Sequence, residues 1–270
     1  MTISIYPPAV CYSPPLPMPN TSFKIYNALQ IGAYHFNHCE DYLYTGAFGK
    51  NKLLCAVMDG CTMALDSHFA SALVGKILKK LCLEKSYQEL VVKNESAHPI
   101  EQELKSLLKA LLEDLKTVRN QLMLDTKELL TTLIIMLIDT ATEEGIVLVI
   151  GDGMVSINGT VTEFEQDNKP DYLGFHLSDD FETFYAGQLQ KITFDTIQDL
   201  SIATDGIFTF EKMAKTKSDT IDVQHYLTAD TLHSETEEML TLKLKVLANE
   251  YGLQPTDDFS MIRIRKTATL

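Results

Sequence analysis

Beyond residue 22 the chain is built of short apolar, β-rich runs, interrupted by two long stretches whose apolar residues recur at helical spacing. FKIYNALQIGAYH, starting at Phe23, alternates in part and predicts a first strand. EDYLYTGAFGKNKLLCAVMDG predicts two strands joined by a turn around Gly46 to Asn51. The second of these, KLLCAVM, is almost wholly apolar, which predicts a central strand buried on both faces. It stops abruptly at Asp59-Gly60. Ser67 to Leu83 carries Phe69, Leu73, Ile77, Leu78 and Leu81 at helical spacing. Pro99 opens a second helix, with leucines at 104, 107, 108, 111, 112 and 115. Two amphipathic helices of this kind predict a pair covering one face of a sheet.

Three further apolar segments follow closely: LLTTLIIMLID, GIVLVIGDG and MVSINGTVTEF. Their β-branched content, with turns at Glu143–Gly145 and Asn158–Gly159, predicts an antiparallel meander. Residues 166–190 are less regular and read as a long excursion or flap. SIATDG is a short strand ending in Asp-Gly. Helical segments are expected over roughly 206–214 and 234–250. FSMIRIRK, entered through Asp257-Asp258, is the last strand. Residues 1–20 hold six of the nine prolines, so residues 1–22 are expected to form an extended arm ahead of a single domain over 23–270.

Composition narrows the function classes. The 37 acidic and 23 basic residues leave a formal charge of −14, which repels phosphate backbones and anionic lipid and so argues against nucleic-acid or membrane-surface partners. No run approaches the roughly 20 apolar residues of a membrane span. The first twenty residues lack the basic and apolar regions of a signal peptide. The five cysteines (Cys11, Cys39, Cys55, Cys61, Cys82) form no CxxC and no disulfide framework, and read as reduced thiols in a cytoplasmic protein.

The chemistry lies in where the acids fall. Glu40-Asp41 precede a strand. Asp59, Asp152 and Asp205 each follow an apolar strand and stand beside glycine. Asp257-Asp258 precede the last strand. Stacked sheets can bring such strand ends to one rim. Carboxylates so gathered repel unless cations neutralise them, and an oxygen-only donor set suits magnesium or manganese. Any one Asp-Gly alone is ordinarily a turn. Five acidic stations in register with strand ends are a pattern.

In order and spacing the chain resembles the metal-dependent protein phosphatase 2C family of serine/threonine phosphatases, as a divergent member of bacterial type. The matching pieces are NHCEDYL, LCAVMDG, LLTTLIIMLI, LVIGDG, SIATDGIF and DDFSMIRIR, in family order over residues 23–265. The resemblance implies an α+β fold, a four-layer α–β–β–α sandwich of two stacked antiparallel sheets with a metal site at one end. It implies two Mn2+ or Mg2+ ions. Asp59 would bridge them, the Gly60 carbonyl and Glu40 would serve one, and Asp205 and Asp257 the other. Asp41 would be a direct ligand or stand next to one. Asp152 matches the holder of a third, weaker metal, and Asp258 fills the slot after a ligand. The implied reaction is hydrolysis of phosphoserine, phosphothreonine or another phosphomonoester by a metal-bridging hydroxide, without a phosphoenzyme.

The chain departs from the family where substrate is held. Most members place a phosphate-clamping arginine about five residues before the second acid of the Glu-Asp element, and here Phe36 stands there. His35 and His38 are the candidate replacements, with His38 the substrate-binding candidate. Cys61 takes the place of the residue after Asp-Gly, so the sequence does not identify the leaving-group acid; His68, on the first turns of the predicted helix, is one candidate. Three readings follow. One is an active phosphatase acting on phosphoproteins. Another is a catalytically weak or inactive relative that binds a phosphorylated or signalling partner. The third is an unrelated acidic, cation-binding globule.

Overall fold

The apolar runs sort themselves into two sheets. In a computed structural model the described residues are 23–64, 66–91, 98–166, 170–214 and 220–267. The proline-rich segment 1–22 lies outside them. In chain order the first strands are β1 (Phe23–Gln30), β2 (Tyr42–Ala47) and β3 (Lys52–Met58), followed by helices α1 (Ser67–Val91) and α2 (Ile100–Leu122). Next come β4 (Leu133–Asp139), β5 (Gly145–Ile150), β6 (Gly153–Ile157), β7 (Thr160–Phe164), α3 (Phe181–Gly187), β8 (Lys191–Phe194) and β9 (Asp199–Ala203). The chain closes with β10 (Phe210–Lys212), α4 (Val223–Thr228), α5 (Met239–Val246), β11 (Leu253–Pro255) and β12 (Phe259–Lys266). One five-stranded sheet has the order β2-β3-β4-β5-β8 and the other β1-β12-β9-β6-β7, both antiparallel.

Alternation along the strands builds three apolar layers between four structural ones. On β3, Leu54, Ala56 and Met58 face α1 and α2, together with the α2 leucines. Leu53, Cys55 and Val57 face the other sheet, meeting Leu200, Ile202, Ile262 and Ile264. Beyond that sheet, Met154, Ala203, Phe259 and Met261 pack beneath Tyr226, Leu227, Leu240 and Leu244 of α4 and α5. KLLCAVM is thus a central strand buried on both faces, and the layers are those of an α–β–β–α sandwich.

Two cations are buried where the α4–α5 layer meets its sheet, Arg263 on β12 and Lys243 on α5. Arg263 forks onto Asp199 at 2.8 and 2.6 Å and donates to the carbonyls of Leu227 and Asp230. Lys243 donates to Asp230 and to the Tyr226 carbonyl. These bonds tie the end of α4 to the sheet, and each charge is partnered as a buried charge must be.

Several expectations need correction. The run from LLTTLIIMLID to MVSINGTVTEF is not one meander: β4 and β5 pair in the first sheet, while β6 and β7 form a hairpin in the second. The crossing is made at Gly151-Asp152-Gly153, where φ values of +96° and +134° at the two glycines turn the chain through conformations closed to other residues. The hairpin ahead of β3 turns at 48–51, with Gly46 still paired to Leu54 inside β2. Helix α1 continues past Leu83 to Val91 through a polar stretch with no apolar stripe. The segment 166–190 is no free flap: its 3-10 turn Leu173–Ser178 and α3 bury Leu173, Leu177, Phe184 and Tyr185 against the α1–α2 layer. The helix expected over 206–214 is a 3-10 turn, Asp205–Phe208, followed by β10. Strands β8, β10 and β11 and helix α4 are too short to show a period in sequence.

Candidate active site

Each acidic station sits where an apolar strand ends. Glu40 and Asp41 lead into β2, Asp59 follows β3, Asp152 lies at the sheet crossing, Asp205 follows β9, and Asp257 and Asp258 lead into β12. Bonds between the sheets hold these ends together. The Thr204 hydroxyl, just past β9, donates to Asp41 Oδ2 at 2.7 Å and accepts the Ser260 N–H of β12. The buried Asp258 accepts the Gly32 N–H at 2.7 Å and the Glu40 N–H, so the β1–β2 connection is anchored to the start of β12.

The backbone of Asp59 is fixed by the paired threonines before β4. Thr131 Oγ1 and the Thr132 N–H donate to its carbonyl at 2.8 and 2.9 Å, and its own N–H donates to Thr132 Oγ1. Gly60 is a steric requirement: a Cβ there would lie 2.0 Å from the Ser67 carbonyl oxygen and 2.8 Å from that of Glu40. Ser67 Oγ donates to Glu40 Oε1 at 2.6 Å, and Ser71 Oγ to the Glu40 carbonyl.

The carboxyls sense one another. Burial, then the charges of Asp41, Asp205 and Asp257, push Asp59 far above the ordinary carboxylate range. Asp41 is pushed up likewise by burial and by Asp258 and Asp205, against the opposing Thr204 bond. Burial, with Asp152 and Asp257, pushes Asp205 up to about 7. Asp152 and Asp257 are raised too, burial being the largest cause in each. Such mutual repulsion calls for positive charge at the same place.

Glu40 Oε2 and Asp41 Oδ1 are buried without a hydrogen-bond partner. Orphaned, desolvated oxygens among repelling carboxyls fit hard divalent cations in donor type and charge. Among the described residues, however, no group of three or more His, Cys, Asp or Glu is arranged to hold a metal ion.

The substrate-side candidates lie at the rim. His38 and His68 stack, ring centroids 4.3 Å apart. His35 stands between Asp257 (3.4 Å) and Asp258 (3.0 Å), turned to the acids. Phe36 is 88 % exposed, so among the described residues little covers the side chain that stands at the clamp position. Cys61 is buried beside Tyr172. Ser67 and Thr204 escaped the sequence reading. Thr204 was visible only as a member of SIATDG, and Ser67 as a small polar residue opening a helix.

A family profile described as Protein phosphatase 2C matches residues 33–244. The chain belongs to the protein phosphatase 2C family. Solved structures agree on the fold. A point-mutant bacterial serine phosphatase aligns with TM-score 0.57 at 15% identity, covering 89% of this chain and 97% of that one. RsbX in complex with magnesium aligns with TM-score 0.51 at 14% identity, covering 90% and 94%. The phosphatase domain and a regulatory fragment of SpoIIE from Bacillus subtilis align with TM-score 0.53 at 16% identity over 92% of this chain, which spans 64% of the SpoIIE chain. A search of curated proteins finds no match. Among the described residues, no helix is long and apolar enough to cross a membrane.

Proposed function

We propose that this family member hydrolyses phosphate monoesters, with phosphoserine and phosphothreonine of proteins as substrates, supported by two Mn2+ or Mg2+ ions. The observation that carries the reading is the cross-sheet gathering of Asp41, Asp59, Asp152, Asp205 and Asp257, whose proton affinities are raised first by burial and then by neighbouring carboxyls. That a solved relative of the same fold, RsbX, is described with magnesium accords with it.

Asp59, Glu40 and the Gly60 carbonyl would hold one ion, and Asp59, Asp205 and Asp257 the other. Asp41 would stand beside them, and Asp152 would serve a third. Bound there, the ions would supply a readily deprotonated water and offset charge on the phosphoryl oxygens. The protein's own groups do the positioning. Thr131 and Thr132 lock the Asp59 backbone, Thr204 aims Asp41, and Ser67 aims Glu40. His38, on the rim, would contact the substrate. The free thiols of Cys39, Cys55, Cys61 and Cys82 suit a cytoplasmic setting.

A second reading, a phosphate-binding relative without turnover, rests on Phe36 standing where the family clamps phosphate. Hydrolysis of p-nitrophenyl phosphate with and without Mn2+ separates the two. A folded, Mn2+-loaded protein without turnover would favour the second. Asp59→Asn should abolish the Mn2+-dependent rate, and a variant with full turnover would remove Asp59 from the reaction.

A further inference from the structure

The loops around the acidic end leave large apolar side chains in water. Phe36 and Met63 are 88% and 89% exposed, Tyr34 is 61% and Phe175 52% exposed. Isolated exposed apolar residues are common, but these belong to segments that border one site. The His38–His68 stack joins the Phe36 loop to the start of α1, which follows the Met63 loop, and the Gly60 N–H donates to the Glu40 carbonyl at 3.2 Å. On another side, Tyr172 lies beside Cys61 within the field of Asp59 and Asp152, with Phe175 edge-on to its ring at 5.6 Å.

Fixed positive charge is missing from the Phe36 and Met63 loops. The sequence has no lysine or arginine between Lys24 and Lys50, nor between Lys52 and Lys76. Those two stretches include both the Phe36 and the Met63 loops. Their basic groups are His35, His38 and His68. An acidic peptide would meet the carboxyl cluster and a chain of net charge −14 with no guanidinium or ammonium on these loops to receive it.

We propose that Tyr34, Phe36, Met63 and Phe175 form an apolar collar that selects a phosphorylated protein segment with apolar side chains flanking the phosphoserine or phosphothreonine. The inference rests on the phosphatase reading and names its substrate class. Aromatic and methionine side chains suit the task because they bury much area at small entropic cost and adapt to several partners. Phe36 then has a use at the place where the family holds arginine: it grips the flanking residues while the phosphate itself is left to the acidic centre.

The test uses the full chain with Mn2+ and two labelled peptides carrying a non-hydrolysable phosphonate analogue of phosphoserine. One has leucine and valine around the phosphonate, the other glutamate and serine. Fluorescence anisotropy reads binding, and p-nitrophenyl phosphate hydrolysis is measured separately. The wild type should bind the apolar peptide at least about tenfold tighter. Phe36→Ser combined with Met63→Gln should remove about tenfold of that affinity, leave the acidic peptide within about twofold, and leave Tm unchanged.

Equal binding of the two peptides, or an equal loss on both in the double variant, would overturn the collar. So would a double variant that changes oligomeric state in sedimentation while peptide binding stays the same, because the patch would then serve a second copy of the chain. Absent aryl-phosphate turnover with peptide selectivity intact would sink the phosphatase reading and leave the collar standing.

Discussion

Replacing Asp205 by asparagine should make the cation-free protein more stable, most of all at neutral and higher pH. Asp205 opens the 3-10 turn after β9, is half-buried, and sits in the field of Asp152 and Asp257. Its carboxyl is pushed from the ordinary 3.8 to about 7. Between those values the native protein holds a proton that the unfolded chain has lost. Stability tied to this group is therefore fully present below about pH 4 and falls away as pH rises through about 7. The displacement corresponds to about 4 kcal/mol at 1.36 kcal/mol per pH unit. Water that reaches the partly open carboxyl reduces this to about 2–4 kcal/mol.

Asparagine is nearly isosteric, keeps an oxygen for the local backbone N–H groups, and carries no charge at any pH. In EDTA at pH 8 the variant should melt about 4–8 °C above the wild type, at about 2 °C per kcal/mol for a chain of this size. At pH 5 the gain should shrink to about 1 kcal/mol, because the wild type is by then mostly protonated in the native state. Mn2+ should raise the wild-type Tm at pH 8 and raise that of Asp205→Asn much less, since a ligand stabilises only what it binds. Differential scanning calorimetry at the two pH values, with EDTA and with Mn2+, reads all of this. An Asp205→Asn protein less stable than wild type at pH 8 in EDTA, or shifted equally at both pH values, would refute the repulsion argument.

Two further outcomes follow from particular contacts. Gly60→Ala places a Cβ 2.0 Å from the Ser67 carbonyl oxygen, so the turn after β3 must move; Mn2+ affinity should fall about tenfold or more by calorimetry, and an unchanged value would show the turn to be dispensable. Arg263→Ala removes the buried fork on Asp199, which keeps Arg265 at 2.9 Å, and takes a donor from the Leu227 and Asp230 carbonyls; urea stability should fall by about 2–4 kcal/mol while the remaining folded protein keeps its Mn2+ affinity, because that network lies beneath α4.

The sequence was most legible where one force dominated. KLLCAVM and LIIMLID are apolar at every core position, and burial alone assigns them to central strands. The α2 leucines have one helical face and no competing period. The elements that escaped are short or balanced. β10 and β11 pair over three residues each, below the length at which alternation can be read. The β5–β6 step looked like a hairpin because Gly151-Asp152-Gly153 is turn chemistry. Whether such a turn reverses within a sheet or crosses to another depends on which face of the sandwich each strand fills. The 166–190 segment looked loose because its apolar residues are irregularly spaced, yet Leu173, Leu177 and Phe184 dock on a surface that α1 and α2 create. At the site, the acidic stations could be picked out by their place at strand ends. The hydroxyls of Ser67 and Thr204 could not, since what marks them is a bond from one segment to another far away in sequence.

That division explains why the centre and the fold should be energetically coupled. Neither sheet holds the acidic cluster alone: Asp41 and Asp59 border the first, Asp205 and Asp257 the second, and Asp152 sits on the crossing between them. Their convergence opposes folding, because each carboxyl raises the charging cost of its neighbours. What offsets this is remote from the acids. The inter-sheet layer of Leu53, Cys55, Val57, Ile202, Ile262 and Ile264 presses the sheets together and carries the strand ends with them. A cation that neutralises the cluster then acts on the same equilibrium as that apolar layer, and its binding free energy adds to the stability of the stacked state. The collar stands outside this coupling. Phe36 and Met63 are on exposed loops, so they can change the partner that is recognised without disturbing the balance between repulsion and burial that holds the centre together.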